Sequence, residues 1–262
     1  ALVLKAGVTD TITVKYGSDT TSNQDDVNNT GANTTLNITS KDPDTFTSNS
    51  LILGGTGTET ITITMVSGGT ADLSGSSSID VLNVVDFTTG AAIIVTAGAN
   101  GNVPLTVNAT SQDSGETMDF NGANSTVGVT LNAGAGADSL DGGSGGDTIN
   151  GNAGIDVIDG QGNSALTGAD NISAGAGNDI ITVSTGEVEF SNSSTTALVT
   201  DTVDGGAGTD TLVFGDAAAS LTKAELANIS NIEKLTLFTG STITLSDDFL
   251  TNNPGISITL VA

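Results

Sequence analysis

The stretch NAGAGADSLDGGSGGDTINGNAGIDVID, residues 132–159, carries one pattern in three consecutive units of about nine residues. Each unit approximates Gly-Gly-x-Gly-x-Asp-x-apolar-x. The pattern returns in a lengthened unit ending GADNIS (168–173) and in AGAGNDIIT (174–182), and after an insertion in DTVD (201–204) and GGAGTDTLV (205–213). Self-similarity at a fixed period predicts a solenoid, in which each unit buries its apolar residue only by stacking on others.

Each position of the unit has a mechanical reason. Glycine accepts positive φ, so the chain turns tightly and its carbonyl groups converge. The aspartate places a carboxylate at the end of that turn, and the apolar residue two positions later points into a thin core. The predicted core positions are Leu140, Ile149, Ile158, Ile172, Ile181 and Leu212.

The same units predict metal sites. We expect successive units to alternate between the two sides of a flattened, right-handed roll, with Ca²⁺ between units i and i+2. Calcium takes about six to eight hard oxygen ligands, which aspartate carboxylates and glycine carbonyls supply. Ordinary Asp-Gly turns would explain a single match, but not consecutive units at fixed spacing with further units nearby.

This register sorts the aspartates by position. One edge of the roll collects Asp138, Asp156 and Asp179. The other edge collects Asp147 and Asp170. A later, interrupted turn holds Asp210 and Asp201. The full set of predicted calcium ligands is Gly134, Gly136, Asp138, Gly143, Gly145, Asp147, Asn152, Gly154, Asp156, Gly168, Asp170, Gly175, Gly177, Asp179, Asp201, Gly206, Gly208 and Asp210.

Composition supports an oxygen-only site and excludes several function classes. Thirty acidic residues face five lysines and no arginine, giving a net charge of −25, which argues against nucleic acid and membrane partners. Cysteine and histidine are absent, so thiolate and imidazole metal sites are excluded. No apolar run reaches the length of a membrane span. The chain begins at Ala1 without a recognisable signal peptide, which is compatible with a fragment; in that case any export signal lies outside it.

The flanks of the repeats are also rich in β-branched residues separated by turn residues, which predicts strands. The predicted strands are Thr11–Val14, Thr35–Ile38, Thr60–Met65, Val81–Phe87, Ala92–Val95, Leu105–Val107 and Val127–Leu131. GGTGTETIT (54–62) and GSSSIDVLN (75–83) read either as calcium-free rungs of the same solenoid or as coincidences in a Gly/Ser/Thr-rich chain. Thr222-Lys-Ala-Glu225 predicts one short helix through a capping box, and a second is expected from Ser246 to before Pro254.

The predicted fold is therefore all-β: a parallel β-roll or β-solenoid with calcium-binding nonapeptide turns, flanked by further solenoid or sandwich-like strands, with few short helices. We expect three regions. Residues 1–130 form a β-rich segment, an irregular solenoid or a sandwich. Residues 131–215 form the calcium-binding roll. Residues 216–262 form a C-terminal β segment with one or two short helices.

The repeat resembles that of the repeats-in-toxin (RTX) family, whose members are exported unfolded by type I secretion and fold in calcium outside the cell. GGAGTDTLVF (205–214), followed by ISNIEKLTLFTGSTITL (229–245), is similar to an arrangement found in RTX surface-layer (S-layer) proteins. This resemblance implies a secreted, structural protein on the surface of a Gram-negative bacterium. It also implies self-association into a calcium-dependent lattice, with cell-surface polysaccharide contacted through parts outside this chain.

Three other functions compete with the S-layer interpretation. Catalysis would have to use carboxylates such as Asp25–Asp26 or Asp247–Asp248, but adjacent strand residues point to opposite faces, and His, Arg and Trp are absent. We therefore expect no enzyme activity from this chain, although it could be the RTX module of a polysaccharide-modifying enzyme or of an adhesin. Thr60-Ile-Thr62 and Thr62-Ile-Thr64 suggest an ice-binding solenoid, but such pairs are scattered along the sequence and ordinary strand alternation explains them.

Overall fold

The computed structural model consists almost entirely of short strands. It describes residues 104–160 except 124, then 169–183, 201–215, 220–223 and 226–261, together with residues 58, 79, 80 and the strands that precede residue 104. The strands before residue 104 are β1 (Leu2–Leu4), β2 (Asp10–Tyr16), β3 (Val27–Asn29), β4 (Thr34–Ser40), β5 (Phe46–Thr47), β6 (Leu51–Leu53), β7 (Glu59–Met65), β8 (Ala71–Asp72), β9 (Val81–Val85) and β10 (Ala92–Thr96).

The remaining elements follow in chain order. They are β11 (Leu105–Asn108), β12 (Thr117–Asn121), β13 (Val129–Asn132), β14 (Ser139–Asp141), β15 (Thr148–Asn150), β16 (Val157–Asp159), β17 (Asn171–Gly177), β18 (Ile180–Val183), β19 (Thr202–Gly208), β20 (Thr211–Phe214), β21 (Ser220–Leu221), β22 (Ile229–Ser230), β23 (Lys234–Phe238), β24 (Thr242–Ile243), α1 (Asp247–Asn252) and β25 (Ser257–Val261). Within the described ranges, no helix has the length and apolar character that crossing a bilayer requires.

Two long parallel sheets organise these strands. A ten-stranded sheet runs β2-β4-β7-β9-β11-β13-β15-β17-β19-β22, and an eight-stranded sheet runs β10-β12-β14-β16-β18-β20-β23-β25. From β11 to β20 successive strands alternate between the two sheets, so each strand pairs with the strand two positions along the chain. The predicted pairing of units i and i+2 is confirmed, and the chain is a parallel β-solenoid.

A rung is one circuit of the chain through both sheets. The core lies between the two sheets, and each of the short strands β14, β15 and β16 contributes one buried residue to it. The six predicted core residues are all at most 1% exposed. Strand alternation explains this burial: β15 buries its central residue Ile149 and leaves Thr148 and Asn150 half-buried on the outside. Burying one Leu or Ile side chain contributes roughly 1.5–3 kcal/mol. Stacking the rungs therefore stabilises a solenoid that a single unit could not form.

Four N-terminal strands continue the ten-stranded sheet, whereas β1, β3 and β6 form a separate three-stranded sheet and β5 and β8 a two-stranded one. β2, β4, β7 and β9 pair in parallel, and the ten-stranded sheet then continues into the repeats. The two degenerate copies of the repeat are rungs of this sheet, because Glu59 is the first residue of β7, Asp80 directly precedes β9, and β7 pairs with β9. The amide of Glu59 donates to Asp80 Oδ2 at 2.7 Å. Residues 54–57 and 75–78 of those copies, and Phe87 of a predicted strand, lie outside the described residues.

The C-terminal segment confirms one predicted helix. The hydroxyl of Ser246 accepts a hydrogen bond from the amide of Phe249 at 3.1 Å and caps α1, which ends before Pro254. The helix predicted from Thr222 is not formed by the described residues, because 223 and 226–228 lie in turns; 224 and 225 are outside the description. The backbone amide of Ile229 donates to the carbonyl oxygen of Leu226 at 3.4 Å and closes a tight turn. The few residues between Thr222 and this turn are too short a segment for a helix, because the first helical turn is unfavourable to form.

The outer face of the ten-stranded sheet carries two aligned columns of polar side chains. The pairing Thr106–Thr130–Thr148 builds one column; Thr60 lies two rungs before it, beyond the apolar Val81, and Thr202 lies two rungs after it, beyond Asn171. The second column contains Asn83, Asn108, Asn132 and Asn150. The side-chain Nδ2 groups of Asn108, Asn132 and Asn150 each donate to Oδ1 of the preceding asparagine in the column, at 3.0, 2.9 and 2.7 Å. Polar residues that are far apart in the sequence are therefore in register in the fold.

Candidate metal sites in two columns of turns

The repeats place their turns in two columns, one at each edge of the solenoid. The first turn column contains the six-residue turns that lead from the ten-stranded to the eight-stranded sheet. They are 133–138 and 151–156, followed by the equivalent segments 174–179 and 205–210, whose first four residues are the ends of β17 and β19. The second turn column leads back; its regular turn is 142–147, and its later connections end at Asp170 and Asp201.

A ladder of aspartates joins the turns of the first column. The backbone N–H of each ladder aspartate donates to the carboxylate of the aspartate one rung later: Asp138 to Asp156 at 2.9 Å, Asp156 to Asp179 at 2.8 Å, and Asp179 to Asp210 at 2.9 Å. The acceptor is Oδ1 in all three bonds. Asp210 is therefore the fourth member of this ladder, and the predicted interrupted turn does not separate it from the first edge.

The second column has an equivalent ladder. The amide of Val129 donates to Asp147 Oδ1 at 2.8 Å, the amide of Asp147 to Asp170 at 2.7 Å, and the amide of Asp170 to Asp201 at 2.8 Å. The predicted edge of Asp147 and Asp170 is confirmed as a structural register. Asp201 continues it, although residues 184–200 intervene in the sequence.

The second carboxylate oxygen of the first-column aspartates is buried without a hydrogen-bond partner. This holds for Oδ2 of Asp138, Asp156, Asp179 and Asp210, whose residues are at most 2% exposed. Asp156 Oδ2 lies beside Gly151, the first residue of its own turn, so it points into the turn and away from water. A buried carboxylate with one unsatisfied oxygen is expensive, and a cation at that oxygen removes the penalty.

Backbone carbonyls stack beside these carboxylates. Gly154 lies directly against the carbonyl oxygen of Gly136, Gly177 against that of Gly154, and Gly208 against that of Gly177. A Cβ at any of these three glycines would collide with the carbonyl of the preceding rung. The glycines are therefore required for close stacking, and their carbonyl oxygens line the same intervals as the aspartates.

The second position of the segments 151–156, 174–179 and 205–210 has a positive φ. Asn152, Gly175 and Gly206 have φ of 69°, 112° and 91°. They stack in order, and the amide of Ala176 donates to Asn152 O at 2.7 Å. Asparagine tolerates this region better than other side chains, so Asn152 takes a place that glycine fills in the other rungs.

These donors fit calcium through mixed ligation. No group of three acidic side chains forms a metal cluster in the described part of the chain. Each interval between stacked first-column turns does offer two aspartates, a buried carboxylate oxygen and glycine carbonyls, all hard oxygen donors. Residues 133–138 and 151–156 would hold one such ion between them, and calcium would neutralise the buried charge there.

Burial also raises the proton affinity of these carboxyls. It raises the pKa of Asp156 to about 7 and the pKa values of Asp138, Asp210 and Asp201 to about 6. The pKa of Asp179 is raised as well, for the same reason. Backbone N–H donors oppose the rise and are outweighed by desolvation. The same desolvated oxygens can therefore take up either a proton or a metal ion.

The predicted ligands are distributed over both columns. Gly143 and Gly145 lie in the regular turn of the second column, and Gly143 has φ of 103°. Gly168 lies outside the described residues. Glu233 and Asn253 extend the first column but are not among the predicted ligands. Glu233 Oε2 accepts a hydrogen bond from the backbone amide of Asp210 at 2.8 Å, and Asn253 Oδ1 accepts one from that of Ile232 at 2.9 Å. Glu233 was detectable as the acid of the N-I-E segment, whereas Asn253 had no repeat signal around it.

Comparison with known proteins identifies the repeats. A family model described as the RTX calcium-binding nonapeptide repeat (4 copies) matches residues 130–162, 164–187 and 200–218. No curated protein and no solved structure matches the chain. The matched segments contain both aspartate ladders, so the turns described above are RTX calcium-binding repeats, which are typical of secreted proteins.

Proposed function

We propose that this chain is a structural, calcium-binding segment of a secreted bacterial S-layer protein, which folds and assembles in calcium on the surface of a Gram-negative cell. The observation that carries the proposal is the first-column ladder, where buried carboxylates with unpartnered oxygens stack beside glycine carbonyls. Residues 131–215 act as the calcium-binding unit, and cell-surface polysaccharide is contacted through parts outside this chain.

Calcium at these positions would contribute substantially to folding. Four first-column turns create three intervals, one fewer than the number of turns. Extracellular calcium modules bind at roughly 10⁻⁴–10⁻³ M. Tenfold excess over Kd stabilises by about 1.4 kcal/mol per site, or about 4 kcal/mol for three sites. A typical domain is stable by about 5–15 kcal/mol, so folding would depend on calcium.

Two surface features support assembly into a layer. Val157 and Ile180 are cross-strand neighbours on the outer face of the eight-stranded sheet, and both are exposed, as is nearby Ile155. The last strand of that sheet, β25, exposes Ile258 and Leu260. Exposed apolar patches of this kind mark protein–protein contacts. Self-association through the eight-stranded sheet would cover the first of them.

We also propose that the chain is not an enzyme. Asp247 and Asp248 lie in the first turn of α1, where negative charge stabilises the helix N-terminus, and both are exposed. Asp25 and Asp26 lie outside the described residues. The buried acidic residues of the repeats are instead committed to the ladders.

Electron microscopy of the chain with calcium, and with EGTA, tests the assembly proposal. We expect two-dimensional sheets only in calcium. A Val157→Thr/Ile180→Thr variant keeps β-branched residues on the strands but removes the apolar patch, so it should fold in calcium without forming sheets. A chain that remains monomeric and folded in calcium would refute the S-layer role and leave the calcium solenoid standing.

A second candidate, an ice-binding adhesin segment, is favoured by the polar columns of the ten-stranded sheet. Parallel strands are about 4.8 Å apart and alternate residues about 6.6 Å apart, so Thr and Asn form a flat two-dimensional array that can order water. Thermal hysteresis measurements test whether the chain binds ice. Thr130→Tyr should abolish any activity, whereas Ser139→Tyr on the opposite sheet should not. An absence of hysteresis in the unmodified chain eliminates the candidate.

A further inference from the structure

The first turn column begins one rung before the repeats. Residues 109–116 form a turn that stacks under 133–138 through the contacts that join later rungs. The amide of Ala135 donates to Gln112 O at 3.1 Å, Gly136 lies against Glu116 O, and the amide of Met118 donates to Asp138 Oδ1 at 2.6 Å.

The next rung repeats these three contacts with different residues. The amide of Ala153 donates to Gly134 O at 3.4 Å, Gly154 lies against Gly136 O, and the amide of Asp138 donates to Asp156 Oδ1 at 2.9 Å. By this correspondence Gln112 stands where Gly134 does, Glu116 where Gly136 does, and Met118 where Asp138 does. The turn 109–116 is therefore a structural equivalent of a repeat turn without the repeat sequence.

Met118 removes the ladder carboxylate from this rung, because a thioether is a poor ligand for hard cations. Glu116, two residues before Met118, supplies a carboxylate to the same turn. Its side chain is 1% exposed, and its Oε2 accepts a hydrogen bond from the amide of Asp113 at 2.9 Å. An acid in a different position of the turn thus restores the negative charge that the rung would otherwise lack.

Gln112 supplies the independent sign of a ligand. It is 3% exposed, and neither its amide oxygen nor its amide nitrogen has a hydrogen-bond partner. A buried side-chain amide without partners is destabilising, because its oxygen and nitrogen have lost their hydrogen bonds to water. Its Cβ lies against Gly134, whose backbone N–H faces the Asp138 carboxylate. Gln112 and the unpartnered Asp138 Oδ2 therefore border the same interval between the two turns.

We infer that Gln112, Glu116 and Asp138 form a further Ca²⁺ site at the N-terminal end of the first turn column. Its ligands are Gln112 Oε1, the Glu116 carboxylate and Asp138 Oδ2, completed by backbone carbonyls. The inference rests on the proposed calcium function but lies half outside the nonapeptide repeats, which match only from residue 130. This ion would tie the repeats to the strands that precede them.

Calcium stoichiometry of the whole chain, measured by equilibrium dialysis and titration calorimetry, tests the site. Glu116→Gln and Gln112→Met keep the side-chain volume, and each should lower the stoichiometry by about one ion while the remaining sites stay filled. Asp119→Asn removes an exposed acid from the adjacent strand β12 and should leave the stoichiometry unchanged. Circular dichroism in calcium verifies that each variant folds. If Glu116→Gln does not fold, the calcium stoichiometry of Gln112→Met tests the site.

Asp156→Asn separates this inference from the calcium function itself, because Asp156 lies in the repeats and not in the proposed terminal site. Loss of ions in Asp156→Asn, together with wild-type stoichiometry in both Gln112→Met and Glu116→Gln, overturns the terminal site alone. Absence of calcium binding by the unmodified chain overturns the proposed function and the terminal site together.

Discussion

The two turn columns share one ladder geometry but differ in their turns. In the first column four equivalent six-residue segments follow one another, the last two beginning within β17 and β19. In the second, 142–147 is regular, whereas the later connections 160–170 and 184–201 have 11 and 18 residues. The strands remain in register in both. Core packing and the aspartate ladder therefore set the register, while loop length on one edge is free to grow at small entropic cost. Calcium sites need the turn carbonyls as well, so the first column should dominate binding.

Removal of calcium should have the largest effect. Several buried carboxylates in the first column would lose their counter-charge at once, and we expect most of the ordered β structure of 131–215 to be lost in EGTA. Circular dichroism and hydrogen exchange check this, with magnesium as the control ion. An identical β spectrum with and without calcium would show that the columns do not need the ion.

Asp156→Ala compared with Asp147→Ala tests the difference between the columns. Asp156 borders two intervals of the first column, so its loss should remove about two ions, each stabilising by about 1.4 kcal/mol at tenfold excess. The substitution also leaves the buried backbone amide of Asp138 without its acceptor, which should lower the free energy of unfolding by about 1–3 kcal/mol. We expect a smaller calcium loss for Asp147→Ala. Equal stoichiometry in the two variants would remove the proposed dominance of the first column.

Gly175→Ala should destabilise by about 1–3 kcal/mol, because alanine is strained at φ of 112° and its Cβ would meet the carbonyl of Asn152. Gly115→Ala is the matched control, since a Cβ there has no neighbour within 4 Å. That change should stay within about 0.5 kcal/mol. Urea unfolding in saturating calcium measures both, and a neutral Gly175→Ala would mean that the stacked turns relax.

The smallest effect we expect is a pH dependence of the calcium-free form. The pKa of Asp156 is raised to about 7 and that of Asp138 to about 6, so the folded state binds more protons than the unfolded chain between their ordinary pKa and these values. This contribution to stability is fully present below the ordinary pKa of about 4 and is lost as pH rises through 6 to 7. Calcium affinity should change in the opposite direction.

The β signal retained in EGTA, followed by circular dichroism, and calcium titrations, each at about pH 5 and about pH 8, measure the two halves of this linkage. Asp156→Asn should flatten both profiles more than Asp119→Asn, which changes an exposed carboxyl. A calcium-free form that becomes more stable towards alkaline pH would contradict the assignment of buried, proton-binding aspartates.

Much of the repeat region was predictable because its information is local. The apolar position two residues after each aspartate predicted the core, and the nine-residue period predicted the pairing of Asp138 with Asp156. Ser246 predicted a helix start through ordinary capping chemistry. Glu59 and Asp80 were ambiguous, because single degenerate copies carry no period and only strand pairing shows that they stack.

Other features depend on contacts between distant residues. The ladder bond from Asp179 to Asp210 spans 31 residues, against 18 from Asp138 to Asp156, so the insertion concealed that Asp210 continues the predicted edge. The columns of Thr and Asn were invisible for the same reason. Glu116 escaped prediction because the carboxylate is displaced by two residues from the repeat position, and only the contact between Met118 and Asp138 shows the displacement.

The sequence by itself determined the chemistry of the repeat: oxygen ligands, tight glycine turns and one buried apolar residue per strand. These follow from residue types at short spacing, where φ preferences and strand alternation act within a single unit. Only the tertiary structure decided which carboxylates share an interval, how far the ladder extends, and which side chains line up on the outer face. Those relations are set by the register between rungs, and core packing and backbone hydrogen bonds fix that register independently of the number of residues in the connecting loops.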